Sequence, residues 1–514
     1  MSGSSEESAL PGSRGHGSRP PHPRLILVNA SFRAIADIGS KIATLALYLF
    51  VARKAGASEF GIFVFAISFA GIAVTLGQFG QEFVLVREVA RDRGRLESLY
   101  SNVICSRLLL SIPPLLIALA VALAIGMSAR TCLVILLMGL GFVSDYLVQV
   151  SFAVFQAYER VGLMPIVLIT QRWLTTGAAV VLLYLGAGIV GVAAVYMVGA
   201  AMAALLAAAL VYREIARPRL RFSVRGALRV TRVAVPIGLG LVALTFLARI
   251  DMIMLAAFKP SAQVGQYGAA YRILEATGFV VWSANTAVMP AMARLTRTSV
   301  PSVGAVYQRA LKLVLAITLP GAAAAAILAG PIIALLYGHQ YHAAAGALAL
   351  LAPTITLAPA SVLSSQLLYA QGIRRVVTIT YAVVFVENVL LNLILIPRYS
   401  LDGAAAGTSI SELLVASTLL YCSRELRGRL ELPRMLRGAI LATAVASGVF
   451  AALHAHLALA LPAGAAVYLT VLLVHERASF PEDFAVLRSF LARLYSRGER
   501  PNPPPVVEAQ APTR

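Results

Sequence analysis

Residues 29–56 read NASFRAIADIGSKIATLALYLFVARKAG, an apolar segment long enough to cross a bilayer that carries Arg33, Asp37 and Lys41 inside it. The three are spaced by four, and Asn29 extends the series back one step. On an α-helix that spacing stacks side chains along one face, so the segment is an apolar rod with a polar stripe. A stripe of charge facing lipid is costly, which turns it toward protein or water. The fold must therefore be a bundle of membrane helices around something polar.

Composition supports the same conclusion. The 514 residues are 59% hydrophobic and 13% charged, with a mean hydropathy of +0.81, whereas soluble domains carry roughly a quarter charged residues. Uncharged runs at 108–129, 173–212, 313–373 and 438–474 each hold one or more spans. Helices are expected at about 25–52, 60–80, 101–126, 131–156, 162–184, 188–212, 231–257, 264–290, 307–336, 343–370, 375–396, 401–422, 438–457 and 460–475. The last two are short enough to form one re-entrant feature instead. The class is an all-α membrane protein with about fourteen spans.

The net charge of +20 does not point to nucleic acid. With the N-terminus inside, the outer loops hold only Arg53, Lys54, Arg130, Lys259 and Arg398. Six more cations lie within helices, and all the rest of the 43 Lys and Arg fall on the inner side. That asymmetry places both termini of a multi-pass membrane protein in the cytoplasm. The densest basic run, YREIARPRLRFSVRGALRVTR at 212–232, lies beside anionic lipid headgroups.

Outward from the spans, residues 1–24 read as a disordered cytoplasmic tail and 213–230 as a basic linker between a first bundle, 25–212, and a second, 231–422. A basic loop at 423–437, two additional helices within 438–475 and a cytoplasmic tail at 476–514 complete the chain. In that tail Leu487, Phe490, Leu491 and Leu494 share one face of an interfacial helix. The bundles echo each other weakly. SEFGIFVFA at 58–66 resembles AQVGQYGAA at 262–270, offset by 204, and Gly191 matches Gly403, offset by 212. Matched positions keep the same side of the membrane, so the repeats are parallel and face each other across a central cavity.

Several stretches resemble the polysaccharide-transport, or Wzx-type flippase, family of the multidrug, oligosaccharidyl-lipid and polysaccharide exporter superfamily. They are ARKAGASEFGIFVFAISFAGIAVTLGQFGQEFVLVREVAR at 52–91, RIDMIMLAAFKPSAQVGQYGAAYRI at 249–273, GPIIALLYGHQYHAAAGALALLAP at 330–353 and LNLILIPRYSLDGAAAGTSISE at 391–412. The resemblance covers about 25–425. It implies translocation of undecaprenyl-diphosphate-linked oligosaccharide repeat units by alternating access, for O-antigen, capsule or exopolysaccharide synthesis, beside a polymerase machinery. Lipid II flipping and multidrug/cation antiport on the same scaffold are the alternatives.

The intramembrane charges divide unevenly. The first half holds Arg33, Lys41, Arg107 and Arg172 against Asp37 and Asp145; the second holds Arg249 and Arg272 against Asp251, Glu275, Glu387 and Glu412. Cations suit a diphosphate or acidic sugar, so Arg33, Lys41, Arg172 and Arg272 are the candidate substrate-binding residues. Asp37, Asp251, Glu275 and Glu387 are the candidates for a coupling proton or sodium ion. Fixed ion pairs are the simpler expectation for Arg249 with Asp251 and for Arg107, while Arg33 and Asp37 can pair at i,i+4. Asn388 and Asn392 read as hydrogen-bonding between helices. His339, His342, His454 and His456 lack carboxylate or thiolate partners, so no metal is expected, and no cofactor or enzyme motif appears: HERAS at 475–479 is not H-E-x-x-H.

Overall fold

In this computed structural model the backbone is described for residues 23–219, 221–295, 300–424 and 432–479. Side chains are described for the same residues from 39 onward, except 236–237, 239–241, 243–244, 279–295, 300–302, 305 and 432–434. The tail before residue 23, residues 425–431 of the 423–437 loop and the interfacial helix expected around 487–494 lie outside the described residues. So do the side chains of Asn29, Arg33 and Asp37.

Every regular element among the described residues is helical. The first half contains α1 (Pro23–Val74), α2 (Gln81–Arg91), α3 (Leu96–Ala124), α4 (Ala129–Ala157), α5 (Leu163–Tyr184) and α6 (Gly188–Glu214). The second contains α7 (Val224–Leu247), α8 (Ile250–Phe258), α9 (Ser261–Leu295), α10 (Val300–Ile327), α11 (Ala329–Tyr337), α12 (Ala344–Leu351), α13 (Thr354–Ala370) and α14 (Arg374–Cys422). α15 (Leu432–Ala452) and α16 (Leu457–Ser479) follow. α1 folds back at Gly56, whose φ of 82° suits a residue without Cβ. α14 breaks at Ser400, φ 55°, where the hydroxyl donates to the Gln263 side chain of α9. α7 with α8, α10 with α11, and α12 with α13 each form one interrupted rod. Counted this way, the described residues make fourteen rods, two bundles of six and a C-terminal pair.

The C-terminal end of the second rod departs from the sequence expectation. A helix stopping near residue 80 is continued, after a 3-10 turn at Thr75–Gly77, by α2. Hydropathy misses α2 because Glu82, Arg87, Glu88 and Arg91 dilute it, but Gln81, Val84, Leu85 and Val89 form a single helical face. That face is buried with Leu96, Tyr100 and Val103 of α3. Here Arg107, 0% exposed, pairs with Glu82 and donates to the Tyr146 carbonyl at 2.7 Å, the fixed pairing expected of it. The last two spans are also distinct rods, not one re-entrant feature. Ala442, Ala446 and Phe450 of α15 and Tyr468 of α16 pack on Ala324 of α10 and on Leu328 just after it, and Lys312 meets Glu476 at 2.6 Å.

The halves join most closely at the end that holds Gly56. A Cβ on Gly61 would lie 1.8 Å from the Ser261 carbonyl oxygen, and one on Gly265 would lie 2.0 Å from the Ala57 carbonyl oxygen. Ala57 with Ser261 and Gly61 with Gly265 are the repeat-related pairs at offset 204. The crossing is therefore a pseudo-twofold contact of backbone on backbone, available only to small residues. Around it Ser58 and Ser261 hydroxyls lie 2.7 Å apart and Tyr341 donates to the Ala52 carbonyl at 3.0 Å. The Arg53 guanidinium donates to the Leu335 and Leu336 carbonyls, capping the C-terminus of α11 where a cation is favoured. At the opposite end the halves meet through α7, with Thr231 and Ser106 hydroxyls 2.6 Å apart.

Candidate functional site

The first bundle, together with Arg249 of the second half, lines a cavity of about 220 Å³. Its walls come from helix faces legible as spacings: Thr44, Leu47 and Tyr48 on α1; Met138, Phe142 and Asp145 on α4; Arg172, Thr175 and Thr176 on α5. Tyr196 of α6 adds a fourth helix. Arg249, in the break between α7 and α8, closes the cavity from the second half and lies along α1 at Gly71.

Asp145 organises the polar part. Gln171 donates to its Oδ1 and Tyr196 to its Oδ2, both at 2.6 Å, while Arg172 stands 3.7 Å from Oδ2. Two neutral donors thus hold the carboxylate in place. The arginine is attracted without a close hydrogen bond, with 29% of its side chain exposed against 18% for Asp145. Thr176 donates to the Ala43 carbonyl at 3.1 Å and fixes α5 against α1.

The residues singled out from sequence fall in different places. Arg33 and Asp37 have side chains outside the described residues. Lys41 is exposed, on the face that continues through Thr44 to Tyr48, so the stripe of α1 leads to the cavity. Arg172 lines the cavity. Arg272 does not: it pairs with Glu275 and lays its guanidinium 4.0 Å from the centroid of the Tyr48 ring, backing the cavity wall from the second half. Its Nε is buried without a hydrogen-bond partner.

In the second bundle Asp251 is buried and accepts from the Met252 amide at 2.7 Å, from the Thr408 hydroxyl at 3.2 Å and from the Tyr267 hydroxyl. The expected pair with Arg249 is not formed. The helix break at 248–249 sends the arginine to the cavity and the carboxylate into the bundle. One turn beyond Thr408, Ser411 donates to Glu387 Oε2 at 2.9 Å and accepts from Asn388, itself bonded to Asn392. Glu387 Oε1 and Asn392 Oδ1 are buried without partners. Glu412 accepts from Ser361 at 2.7 Å.

Sequence reasoning gave no site role to Asp145, Gln171, Tyr196, Tyr48 and Arg249. Asp145 was visible as a carboxylate in an apolar span, at a helical spacing from Met138 and Phe142. Its donors, on α5 and α6, carried no pattern of their own.

The chain is similar over this fold to three solved transporters. Lipid II flippase MurJ in an inward closed conformation superposes with a TM-score of 0.72 at 15% identity, over 88% of this chain and 99% of that one. An inward-facing multidrug resistance MATE family transporter of the MOP superfamily gives 0.58 at 17% identity, over 75% and 94%. A MOP superfamily transporter from Pyrococcus furiosus gives 0.55 at 17% identity, over 79% and 96%. At such identities these likenesses show the fold alone, that of a multi-pass membrane protein. No curated protein sequence matches the chain. Two sequence families do, MatE over residues 236–394 and one described as polysaccharide biosynthesis protein over residues 26–296. As the second match spans more than half of its length, the chain belongs to the polysaccharide biosynthesis protein family.

Proposed function

We propose that this protein flips an undecaprenyl-diphosphate-linked oligosaccharide repeat unit across the bacterial inner membrane, by alternating access, to supply polysaccharide synthesis. The observation that carries the reading is a polar cavity walled by apolar helices, with Arg172 and Arg249 against Asp145, in a chain of a polysaccharide biosynthesis family. A glycolipid headgroup needs such a compartment to pass the hydrocarbon layer, and the arginines and the carboxylate offer its sugar hydroxyls both donors and an acceptor.

In this reading residues 25–212 and 231–422 are the moving bodies, linked by 213–230, with 438–475 riding on the second. Both termini are cytoplasmic and the Gly61–Gly265 crossing is the outer gate. The Lys41 face of α1 guides the headgroup, together with Arg33. Asp251 and Glu387, linked through Thr408 and Ser411 of α14, take the coupling proton or sodium ion. Arg172 and Arg249 in the cavity oppose a cationic drug.

Lipid II flipping is the second reading, favoured by the fold likeness to MurJ. Deleting the gene separates the two. A repeat-unit flippase leaves cells viable, without surface polymer, and with lipid-linked repeat units retained on the inner leaflet; a lipid II flippase is required for growth. Normal surface polymer in the deletion strain would overturn the proposal.

A further inference from the structure

The cavity is smaller than the substrate just proposed. Pockets that enclose a whole drug-sized ligand have volumes of roughly 300–1,000 Å³, and this one has about 220 Å³. It takes a single ring, not a repeat unit with its diphosphate. The chemistry of its wall decides which part enters.

Its apolar surface is largely aromatic. Tyr48 and Phe63 stand on one side, and Phe142 and Tyr196, edge to face at 5.7 Å and 72°, on the other. Aromatic faces pack well against the C–H faces of a pyranose and offer little to a phosphate. The polar groups agree. Asp145 is held by Gln171 and Tyr196, and an entering diphosphate would meet those carboxylate oxygens beside an Arg172 that already faces them at 3.7 Å. For a sugar the same groups are complementary: the carboxylate accepts from hydroxyls, and Arg172 and Arg249 donate to ring or hydroxyl oxygens.

We infer that the first-bundle cavity is a subsite for one sugar ring of the lipid-linked unit, with Asp145 accepting from its hydroxyls and Tyr48 as the stacking platform. This rests on the proposed substrate being a glycolipid. The diphosphate stays outside the cavity, toward the Lys41 face of α1. Arg272, stacked behind Tyr48, sets the platform from the second bundle, so the subsite is complete only while the bundles are docked.

The test is saturation-transfer NMR on the purified full-length protein with a panel of glucose, galactose, mannose, N-acetylglucosamine and glucuronate, with inorganic pyrophosphate as competitor. Transfer to ring C–H protons of at least one sugar is expected, undisturbed by pyrophosphate. Asp145→Asn keeps the shape and the Gln171 contact, and should weaken that sugar about tenfold, the loss expected of hydrogen bonds to a charged acceptor. Tyr196→Phe, which keeps the ring but frees the carboxylate, should weaken it less. Thermal unfolding identifies any variant that fails to fold. Transfer to no sugar, or displacement of the sugar by pyrophosphate with tighter pyrophosphate binding in Asp145→Asn, would overturn the subsite. Either result leaves the deletion phenotype untouched, so this inference and the proposed function fail separately.

Discussion

The guanidinium of Arg272 rests on the ring of Tyr48, 4.0 Å from its centroid, so a cation of the second bundle supports a side chain that lines the cavity of the first. A desolvated cation–π contact contributes about 2 kcal/mol, and here it joins the two bundles that the proposed mechanism moves apart. Arg272→Gln should lower the unfolding midpoint by a few degrees and reduce surface polymer sharply. Arg272→Lys should restore stability more than transport, because an ammonium lacks the flat face that holds the ring. Full polymer formation by Arg272→Gln would remove the contact from the mechanism.

The stripe on α1 is tested through rescue. A structural pair of Arg33 with Asp37 tolerates loss of both charges, since a buried pair can be replaced without loss of stability. Arg33→Ala and Lys41→Ala are expected to insert normally and stop polymer formation, with Arg33→Lys rescuing partly. Arg33→Ala with Asp37→Ala should stay inactive. Restored polymer in that double variant would make the stripe a structural pair.

Asp251 accepts three hydrogen bonds inside the second bundle, and Asn in its place can accept most of them. Asp251→Asn and Glu387→Gln are therefore expected to fold. In proteoliposomes at least one of them should lose the dependence of transport on a proton or sodium gradient. Unchanged gradient dependence in both would exclude these carboxylates from coupling.

The Gly56 end offers a covalent test of gating. Ser58 and Ser261 hydroxyls are 2.7 Å apart across the bundles, within reach of a disulfide geometry. With Cys105, Cys132 and Cys422 replaced by Ser, the variant Ser58→Cys with Ser261→Cys should crosslink on oxidation, stop transport and recover it on reduction. Undiminished transport in the crosslinked protein would mean that this end does not open.

The charge asymmetry makes a prediction about orientation. Single cysteines placed at 213–219 should react with impermeant thiol reagent only from the cytoplasmic side, and a cysteine replacing His339 only from outside. The reverse labelling would invert the topology.

Much of this molecule is written in short-range pattern. Span lengths, the breaks at Gly56 and near Pro397, the basic inner loops and the offset of 204 between Gly61 and Gly265 depend on neighbouring residues or on a simple repeat. Bilayer thickness and helix periodicity convert them directly into rods and faces. The face of α2 was written there too, but its charges hid it from hydropathy. Tertiary structure alone decided what the buried charges do. Asp145 acquires its role from Gln171 and Tyr196 on other helices, Arg249 leaves its near neighbour Asp251 because the helix breaks between them, and Arg272 turns from the cavity to the back of Tyr48. A side chain inside a membrane must find its partner by proximity in space, and helices that bring such partners together are separated along the chain by whole spans, where no local spacing records the meeting.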